Sequence, residues 1–390
     1  MKINFVVLKI IRTFVYMKKL KIQTHIETNG IEKTIIDFNL KSRWYEDRVL
    51  LKYNQLVSPT IMALPEVQEC RGIVLEKDTW KVLSCSFFKF FNSEEGNAHK
   101  IDWDTARVLE KLDGSLITLY FYNGIWYTAT TGTALGEGEV NNKTGTTFSD
   151  LFWETVIEKY GLDISKLNKN FCYCFELCSP YNIVVKPHGE SSATLLTVRN
   201  LETLKEVSFD ELTAIAESLG VPRVKAYDLN AKDVGTLLRT FENMIWHDEG
   251  YVVVDANHNR VKIKNPAYVA VHHLKNKTAE HNIITIVKTN EIEEFGATFP
   301  DRKDELYKLR ANYEALITKL NSVWTELQVS RPKNITPQEK KRYAQAVFEV
   351  CGKNDVKMFT GLYFGLADGK YESIESFVAN YDDKALYKML

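Results

Sequence analysis

The sequence lacks the features that mark several classes of protein. Six cysteines in 390 residues are too few and too unevenly spaced for a secreted disulfide framework. Fifty basic and 51 acidic residues give a formal net charge of -1, so no overall positive field indicates nucleic acid or an anionic membrane as partner. No run of about 18 uncharged apolar residues is present to span a membrane. We therefore expect a cytosolic chain with reduced cysteines and no membrane attachment.

Familiar catalytic and metal-binding motifs are also missing. The chain has no Gly-x4-Gly-Lys-Ser/Thr loop and no Gly-x-Ser-x-Gly elbow. Cys172, Cys174 and Cys178 lack the second pair of ligands that a zinc site requires, so we interpret them as small strand residues. These absences argue against P-loop enzymes, α/β-hydrolases and zinc-binding modules.

Up to about residue 270 the sequence consists of short β-type segments. They are rich in Val, Ile, Thr, Tyr and Phe, and turn residues such as Asn123-Gly124 separate them. Helical segments around 149–160 and 208–219 do not alternate regularly with the strands, which favours an α+β fold with antiparallel sheets. The predicted strands are 71–75, 116–122, 125–130, 171–177, 194–198, 250–254 and 260–264.

Beyond about residue 276 the pattern becomes helical. Apolar residues from Leu306 to Leu327 recur at spacings of three and four, which predicts an amphipathic helix of about six turns. A capping box with proline at the first helical position starts at Thr336. We expect an all-helical C-terminal domain over 276–390.

The first 16 residues differ from the rest of the chain. Lys9 and Arg12 interrupt their apolar run, no signal-peptide cleavage site follows, and Met17 would serve as a start. We interpret this segment as an N-terminal extension, and a strand or helix packed on the core is the alternative. The expected domains are 1–16, 17–275 and 276–390.

The strongest chemical signal is the tetrapeptide Lys111-Leu112-Asp113-Gly114. Alone it is weak, because Lys-x-Asp-Gly would occur by chance in about one of ten chains of this length. An ordered set of further motifs surrounds it. In chain order they are Glu69-Cys70-Arg71-Gly72-Ile73, Lys89-Phe90-Phe91-Asn92, Phe175-Glu176-Leu177, Glu249-Gly250-Tyr251-Val252 and Val261-Lys262-Ile263-Lys264.

This ordered series closely resembles the covalent nucleotidyltransferases, a superfamily of polynucleotide ligases and mRNA capping enzymes. Within it, residues 40–275 are most similar to the bacteriophage RNA ligase 1 family. The resemblance implies a nucleotidyltransferase core of ATP-grasp-like antiparallel sheets, followed by a helical domain. It also implies that the chain is an ATP-dependent RNA ligase.

In the implied reaction, Lys111 attacks the α-phosphate of ATP, expels pyrophosphate and carries AMP as a phosphoramidate. AMP then passes to the 5′-phosphate of an RNA end, and the 3′-hydroxyl of a second end displaces it. Phosphoryl transfers of this kind depend on positioning and charge neutralisation. The implied cofactors are ATP and Mg²⁺ or Mn²⁺.

The chemistry of lysine explains why basic neighbours are needed. An ordinary lysine is a poor nucleophile because its pKa of about 10.4 keeps it protonated. A nearby cation and partial burial would favour the neutral amine of Lys111. Lys262 and Lys264 can supply that charge, since residues two apart on a strand face the same way. A solvated edge strand is the alternative for this lysine pair taken alone.

Strand parity also sorts the residues around Glu176. Phe175 and its i±2 neighbours are expected in the core, whereas Cys172, Cys174 and Glu176 share the other face. The resemblance implies that Glu176 contacts the ribose of the nucleotide, a role that suits carboxylate oxygens facing hydroxyls. Cys172 and Cys174 would then form part of the pocket wall.

The resemblance alone implies the remaining site residues. Glu249 would help to hold the divalent metal, which prefers oxygen ligands, or is simply an acidic residue at a strand start. Arg71 and Lys89 would contact nucleotide phosphates. Tyr53 would lie near the nucleotide, with plain packing as the alternative. The predicted catalytic residues are Lys111, Asp113, Lys262 and Lys264.

The strand after the lysine motif departs from the family at one position. Relatives carry a basic residue just before the glycine, whereas this chain has Thr131 before Gly132. Either another cation takes its place or the nucleotide is bound more weakly.

The resemblance implies that the substrate is a pair of single-stranded RNA ends or a nicked tRNA anticodon loop. Repair would then involve an end-healing polynucleotide kinase/phosphatase, and we expect a monomer in the host cytoplasm. In the helical domain, Lys340, Lys341 and Arg342 beside Tyr343 could bind phosphates and stack on unpaired bases. A solvated helix face is the alternative for this group.

Two other functions are compatible with parts of this pattern. A DNA ligase or a GTP-dependent capping enzyme would carry an OB-fold after Lys264, where the leucine spacing indicates helices. A non-catalytic RNA-binding protein on the same scaffold would not be expected to keep Lys111, Glu176 and Glu249 intact.

Overall fold

The computed structural model describes residues 19–275, 283–298, 300–331 and 336–390. The predicted N-terminal extension, 1–16, lies outside the described residues. The chain divides into two compact units, 1–273 and 274–390. Each unit is described below by itself.

The described part of the first unit contains three β-sheets. The strands are β1 Leu40–Trp44, β2 Arg48–Tyr53, β3 Arg71–Glu76, β4 Val82–Ser84, β5 Phe91–Asn92, β6 Arg107–Glu110, β7 Ser115–Tyr122, β8 Ile125–Ala129, β9 Phe171–Cys178, β10 Ser192–Asn200, β11 Ala226–Tyr227, β12 Gly250–Val254 and β13 Arg260–Lys264. Their orders are β1-β2-β3-β4, β10-β9-β7-β8 and β11-β6-β12-β13-β5. Only the short β5 pairs in parallel, with β13, among the described strands. The predicted α+β fold with antiparallel sheets is confirmed.

Short helices connect and cover these sheets. They are α1 Lys21–Asn29, α2 Ile31–Asp37, α3 Pro59–Met62, α4 Pro65–Glu69, α5 Phe148–Glu154, α6 Phe209–Leu219, α7 Val234–Thr240 and α8 Pro266–Lys275. The predicted helices around 149–160 and 208–219 correspond to α5, which continues as a π-helical turn over Thr155–Lys159, and to α6. Ser208 caps α6 by accepting a hydrogen bond from the Glu211 N–H.

Local sequence explains the tightest hairpin. Asn123 and Gly124 have φ angles of 48° and 84°. Asn and Gly tolerate these positive angles, which two-residue hairpin turns require. Tyr122 therefore pairs directly with Ile125, and β7 and β8 continue as an antiparallel ladder.

A cluster of charges joins the second sheet to the third. Glu206 accepts hydrogen bonds from Arg199 of β10 at 2.9 Å and from both terminal nitrogens of Arg260 of β13 at 2.6 and 2.9 Å. The Glu206 side chain is only 5% exposed. Although burial alone would raise the pKa of Glu206, Arg260 and Arg199 outweigh it and lower that pKa to about 2. The carboxylate thus neutralises two arginines that belong to different sheets.

The described part of the second unit is entirely helical. Its α-helices are α9 Ile283–Thr289, α10 Ile292–Thr298, α11 Lys303–Gln328, α12 Pro337–Lys353, α13 Thr360–Ala367, α14 Ile374–Ala379 and α15 Asp383–Met389. The predicted apolar stripe of α11 is buried at Leu306, Tyr313, Leu320 and Leu327. Thr336 caps α12 as expected. Among the described residues, no strand follows β13 and no helix combines the length and apolarity needed to cross a membrane.

Removing the carboxylate of Glu206 tests the charge cluster. Glu206→Gln would leave two buried guanidinium groups without a counter-charge, so we expect the free energy of unfolding to fall by about 3–5 kcal/mol near neutral pH. Because folding depresses the pKa of Glu206, its contribution is present above the unfolded pKa of about 4.5 and is lost as pH falls towards about 2.

Urea unfolding of both proteins at about pH 7 and about pH 3.5 measures this difference. The difference in free energy of unfolding between the wild type and Glu206→Gln should be smaller at the lower pH. Glu217→Gln, on the exposed face of α6, is the matched control and should unfold like the wild type. An equal gap at both pH values would contradict the assigned role.

Candidate active site

A cavity of about 630 Å³ lies where the three sheets of the first unit meet. This volume is in the range of small-molecule sites. Its lining combines apolar side chains, among them Phe90, Leu196 and Val252, with cationic groups and few carboxylates. The cationic residues that line it are Lys52, Arg71, Lys111, Arg260 and Lys262. Such a wall suits a ligand with one apolar, aromatic part and one strongly anionic part.

The pairing of three strands places the predicted nucleophile. Lys111 directly follows β6, and its N–H donates to the Gly250 carbonyl at 3.0 Å. Its ammonium group forms an ion pair with Glu249, which directly precedes β12. Lys264 of β13 lies 3.8 Å from the same carboxylate oxygen. Glu249 is 7% exposed, so its carboxylate lies buried between two ammonium groups.

This arrangement modifies the expectation for Lys111. The sequence argument placed only cations, Lys262 and Lys264, beside it. The structure adds a carboxylate, that of Glu249, in direct contact with the ammonium group.

Asp113 is buried next to Lys111 and is held by three hydrogen bonds. Its carboxylate accepts hydrogen bonds from the N–H groups of Val185 at 2.9 Å and Lys186 at 2.5 Å, and from the hydroxyl of Tyr268 at 2.9 Å. It is 4% exposed and does not line the 630 Å³ cavity. The catalytic role of Asp113 stays a prediction, and these contacts are those of a residue that positions the Lys111 segment. Asp113 ties that segment to the 185–186 loop and to α8.

Glu176 of β9 lines the cavity, opposite Leu116 of β7 in the ladder. Burial raises the pKa of Glu176 to about 7, with the neighbouring Glu249 acting in the same direction. Lys111 and Arg71 oppose this shift. The carboxyl group therefore changes charge close to neutral pH in the ligand-free site.

The predicted role of Cys172 and Cys174 as pocket wall is wrong. Both are fully buried, and neither lines the cavity. Cys172 packs between the first and second sheets, with Leu50, Val74 and Tyr120. On the β9 face that carries Glu176, Cys172 is thus covered by the first sheet, whereas Glu176 itself lines the cavity.

Of the three nucleotide contacts expected from residues 53–89, only one lines the cavity. Arg71 lines the cavity, and its guanidinium carbon lies 5.0 Å from the centre of the Phe90 ring. Lys89 and Tyr53 do not line it. Tyr53 is 8% exposed and packs in the core of the first sheet, while the Lys89 ammonium lies 5.6 Å from its ring centre. The structure therefore places Phe90, and not its neighbour Lys89, at the cavity.

Sequence reasoning missed two cationic residues that line this cavity. Arg260 lies two positions before Lys262 on β13, so strand parity could have indicated it. Lys52 immediately precedes Tyr53, and the interpretation of Tyr53 as a ligand contact assigned the wrong face of β2 to the site. Within the described residues, no group of three or more His, Cys, Asp or Glu side chains is arranged to hold a metal ion.

The sequence profile of a family described as RNA ligase, of the phage T4 ligase 1 type, matches residues 69–268, just over half of the chain. The chain belongs to the phage RNA ligase 1 family. This membership makes it an RNA ligase, as the motif series predicts.

Two viral proteins are similar to the chain in sequence. An RNA ligase of Rhodothermus phage RM378 is 27% identical over 371 residues, which cover 78% of this chain and 82% of that protein. A putative bifunctional polynucleotide kinase/RNA ligase of Autographa californica nuclear polyhedrosis virus is 28% identical over 302 residues. That match covers 70% of this chain but only 41% of the baculovirus protein.

Two solved structures are also similar to parts of the chain, at low sequence identity. An archaeal ATP-dependent RNA ligase is 15% identical with a TM-score of 0.44, covering 89% of this chain and 83% of that one. A mutant RNA ligase of Naegleria gruberi, solved with ATP and Mn, is 16% identical with a TM-score of 0.35. It is matched over 43% of this chain and 51% of its own length.

The unusual pKa of Glu176 makes the stability of this ligase depend on pH. Because folding raises that pKa from about 4.5 to about 7, the ionised carboxyl destabilises the fold increasingly across this interval and constantly above it. Glu176→Gln removes this penalty. We expect the variant to gain a few degrees in melting temperature over the wild type at about pH 8 and little at about pH 5.

Thermal unfolding at the two pH values measures the gain. The control is Glu202→Gln, which removes an exposed carboxylate and should give no difference between them. A gain for Glu176→Gln that is the same at both pH values would show that Glu176 does not titrate near neutrality.

Proposed function

We propose that this RNA ligase uses ATP to join a 5′-phosphate to a 3′-hydroxyl through lysyl-AMP and RNA-adenylate intermediates. The observation that carries the proposal is the position of Lys111 in the wall of a cavity that also presents Arg71, Lys262 and Glu176. An amine, several cations and a carboxylate are the groups that capture of a nucleotide by a lysine requires.

In the first step, the amine of Lys111 attacks the α-phosphorus of ATP, and the bond to the β-phosphate oxygen breaks. Pyrophosphate leaves, and the nitrogen loses its proton as the phosphoramidate forms. Arg71, Lys262 and Lys264 would offset the charge that develops on the phosphate oxygens. Glu176 would accept a hydrogen bond from the ribose, which its partly buried carboxylate can do from the cavity wall.

Glu249 is the residue that we propose to hold a divalent cation. Mg²⁺ commonly uses one or two protein carboxylates together with substrate phosphates, so a single buried carboxylate fits this donor set. Glu110 lies close by and lines a small side cavity together with Glu249. A metal held there would supply charge neutralisation at the phosphates. Glu249 would then release Lys111 from their ion pair.

In the later steps, AMP would pass to the 5′-phosphate of an RNA end, and the 3′-hydroxyl of the other end would displace it. We infer a role in repair of cleaved tRNA in the host cytoplasm, coupled to a polynucleotide kinase. In support, the baculovirus relative is named as a kinase and ligase in one chain. In the helical unit, Lys340, Lys341 and Arg342 are exposed and would contact RNA phosphates.

Tyr343 takes no part in this interface. It is 4% exposed, and its hydroxyl donates to the Tyr363 carbonyl at 3.0 Å. The predicted stacking of a base on this ring is therefore wrong. RNA binding by the helical unit, as we propose it, rests on phosphate contacts.

The nucleophile can be tested with nucleotides labelled on the α-phosphate. We expect label from ATP, and not from GTP, to become covalently bound to the wild type, and Lys111→Ala to bind none. Because a pre-adenylated RNA strand already contains the activated bond, Lys111→Ala should still seal such a strand. Lys77→Ala, with an exposed lysine outside the cavity, is the matched control and should label normally.

Three results would contradict the proposal. They are labelling from GTP alone, labelling of Lys111→Ala at the wild-type level, and sealing of ordinary 5′-phosphorylated RNA by Lys111→Ala. The same sealing assay run with RNA strands and with DNA strands measures which of the two polynucleotides the enzyme accepts.

A further inference from the structure

Three cationic side chains form a row across the first sheet. In the antiparallel ladder, Lys52 of β2 stands directly opposite Lys41 of β1 on one side and Arg71 of β3 on the other. Residues that are directly opposite share a face of the sheet, and like charges in this position repel each other. Lys52 and Arg71 reach the cavity, whereas Lys41 is exposed and does not line it.

A bulge creates this pairing. The register shifts between Leu51 and Lys52, so that Ile73 pairs with Leu51 and Arg71 pairs with Lys52. Gly72 is the extra residue, with φ of +77°, and a Cβ there would lie 2.7 Å from Cα of Thr131. The absence of that Cβ lets Thr131 approach, so Lys52, Arg71 and Thr131 line the same part of the cavity.

In the part of the chain that the structure describes, no ion pair neutralises the two cations at this point, and Glu176 is the nearby carboxylate on which Arg71 acts. Among the described residues, no carboxylate forms an ion pair with Lys52 or Arg71, and Nη1 of Arg71 is buried without a hydrogen-bond partner. Burial, together with Lys41 and Arg71, lowers the pKa of Lys52. Folding therefore brings together two positive groups whose mutual repulsion and desolvation oppose stability.

An anion bound in the cavity would remove this conflict. We propose that Lys52 is a phosphate-binding residue of the cavity, which together with Arg71 holds a phosphate of ATP or the 5′-phosphate of the RNA end. Lys52 is then a cation that takes the place of the basic residue missing at Thr131. The inference rests on the proposed function, since both phosphates belong to that reaction.

The test measures two steps separately for the wild type, Lys52→Met, Lys52→Arg and Lys41→Met. The first arm follows lysyl-AMP formation as ATP concentration is varied. The second follows AMP transfer from the purified enzyme–AMP to 5′-phosphorylated RNA, also as RNA concentration is varied. We expect Lys52→Met to raise the half-saturating concentration roughly tenfold or more in at least one arm, because it removes a charge-assisted contact.

The arms identify the source of the phosphate. An effect confined to the first arm assigns Lys52 to ATP, an effect confined to the second assigns it to RNA, and an effect in both assigns it to a position that both phosphates use. Lys52→Arg should keep most of the affinity. Lys41→Met removes the neighbouring charge of the same row outside the cavity and should behave like the wild type.

Thermal unfolding separates binding from a structural role. Lys52→Met should melt at or above the wild-type temperature, because it relieves repulsion in the ligand-free site. A lower melting temperature accompanied by a matching loss of activity would overturn the inference. So would a change below about twofold in both arms, or a Lys52→Arg variant as impaired as Lys52→Met. A wild type that forms no lysyl-AMP would instead refute the proposed function.

Discussion

The site depends on the antiparallel register of β6, β12 and β13. Glu110 pairs with Tyr251, and Gly250 pairs with Lys264, so Lys111, Glu249 and Lys264 are brought together from distant parts of the chain. A shift of one residue would turn every side chain to the other face of the sheet. Gly250 holds this register at its end, because a Cβ there would lie 2.2 Å from the Ile263 carbonyl oxygen. The glycine after Glu249 is thus part of the site's geometry.

Charge is distributed around this register in a consistent way. Where the fold needs two cations close together, a buried carboxylate lies between them: Glu206 joins Arg199 to Arg260, and Glu249 joins Lys111 to Lys264. Lys52 and Arg71, at the cavity, have no such carboxylate among the described residues. A net charge near zero therefore conceals a cavity that is lined by more cationic than anionic side chains. The total charge of a chain does not predict a ligand, whereas the pairing of individual charges does.

The sequence predicted the fold better than it predicted which face of each strand meets the ligand. Alternation and turn residues indicate strands reliably because they are local, as the Asn123-Gly124 hairpin illustrates. Parity correctly grouped Cys172 and Cys174 with Glu176, but it could not reveal that both cysteines are buried, Cys172 against another sheet. For the same reason the spacing along β2 did not show which of its faces meets the ligand: Tyr53 lies in the core, and Lys52 lines the cavity. Which face is covered depends on packing between sheets, and that is not encoded in the spacing along one strand.

Two charged groups that line the cavity oppose folding, and a nucleotide would offer each of them a partner. Glu176 is buried enough for its pKa to reach about 7, and Lys52 has its pKa lowered by burial and by its cationic neighbours. Burial and like-charged neighbours disfavour the charged form of each group and so oppose folding. Each would gain a partner of opposite polarity, a hydroxyl for Glu176 and a phosphate for Lys52, when the ligand enters. Any such gain must appear as stabilisation of the folded chain by the ligand, since a ligand that binds only the native state shifts the unfolding equilibrium. The cost of these charged groups to folding and the affinity of the cavity for a nucleotide are thus two consequences of the same uncompensated charges.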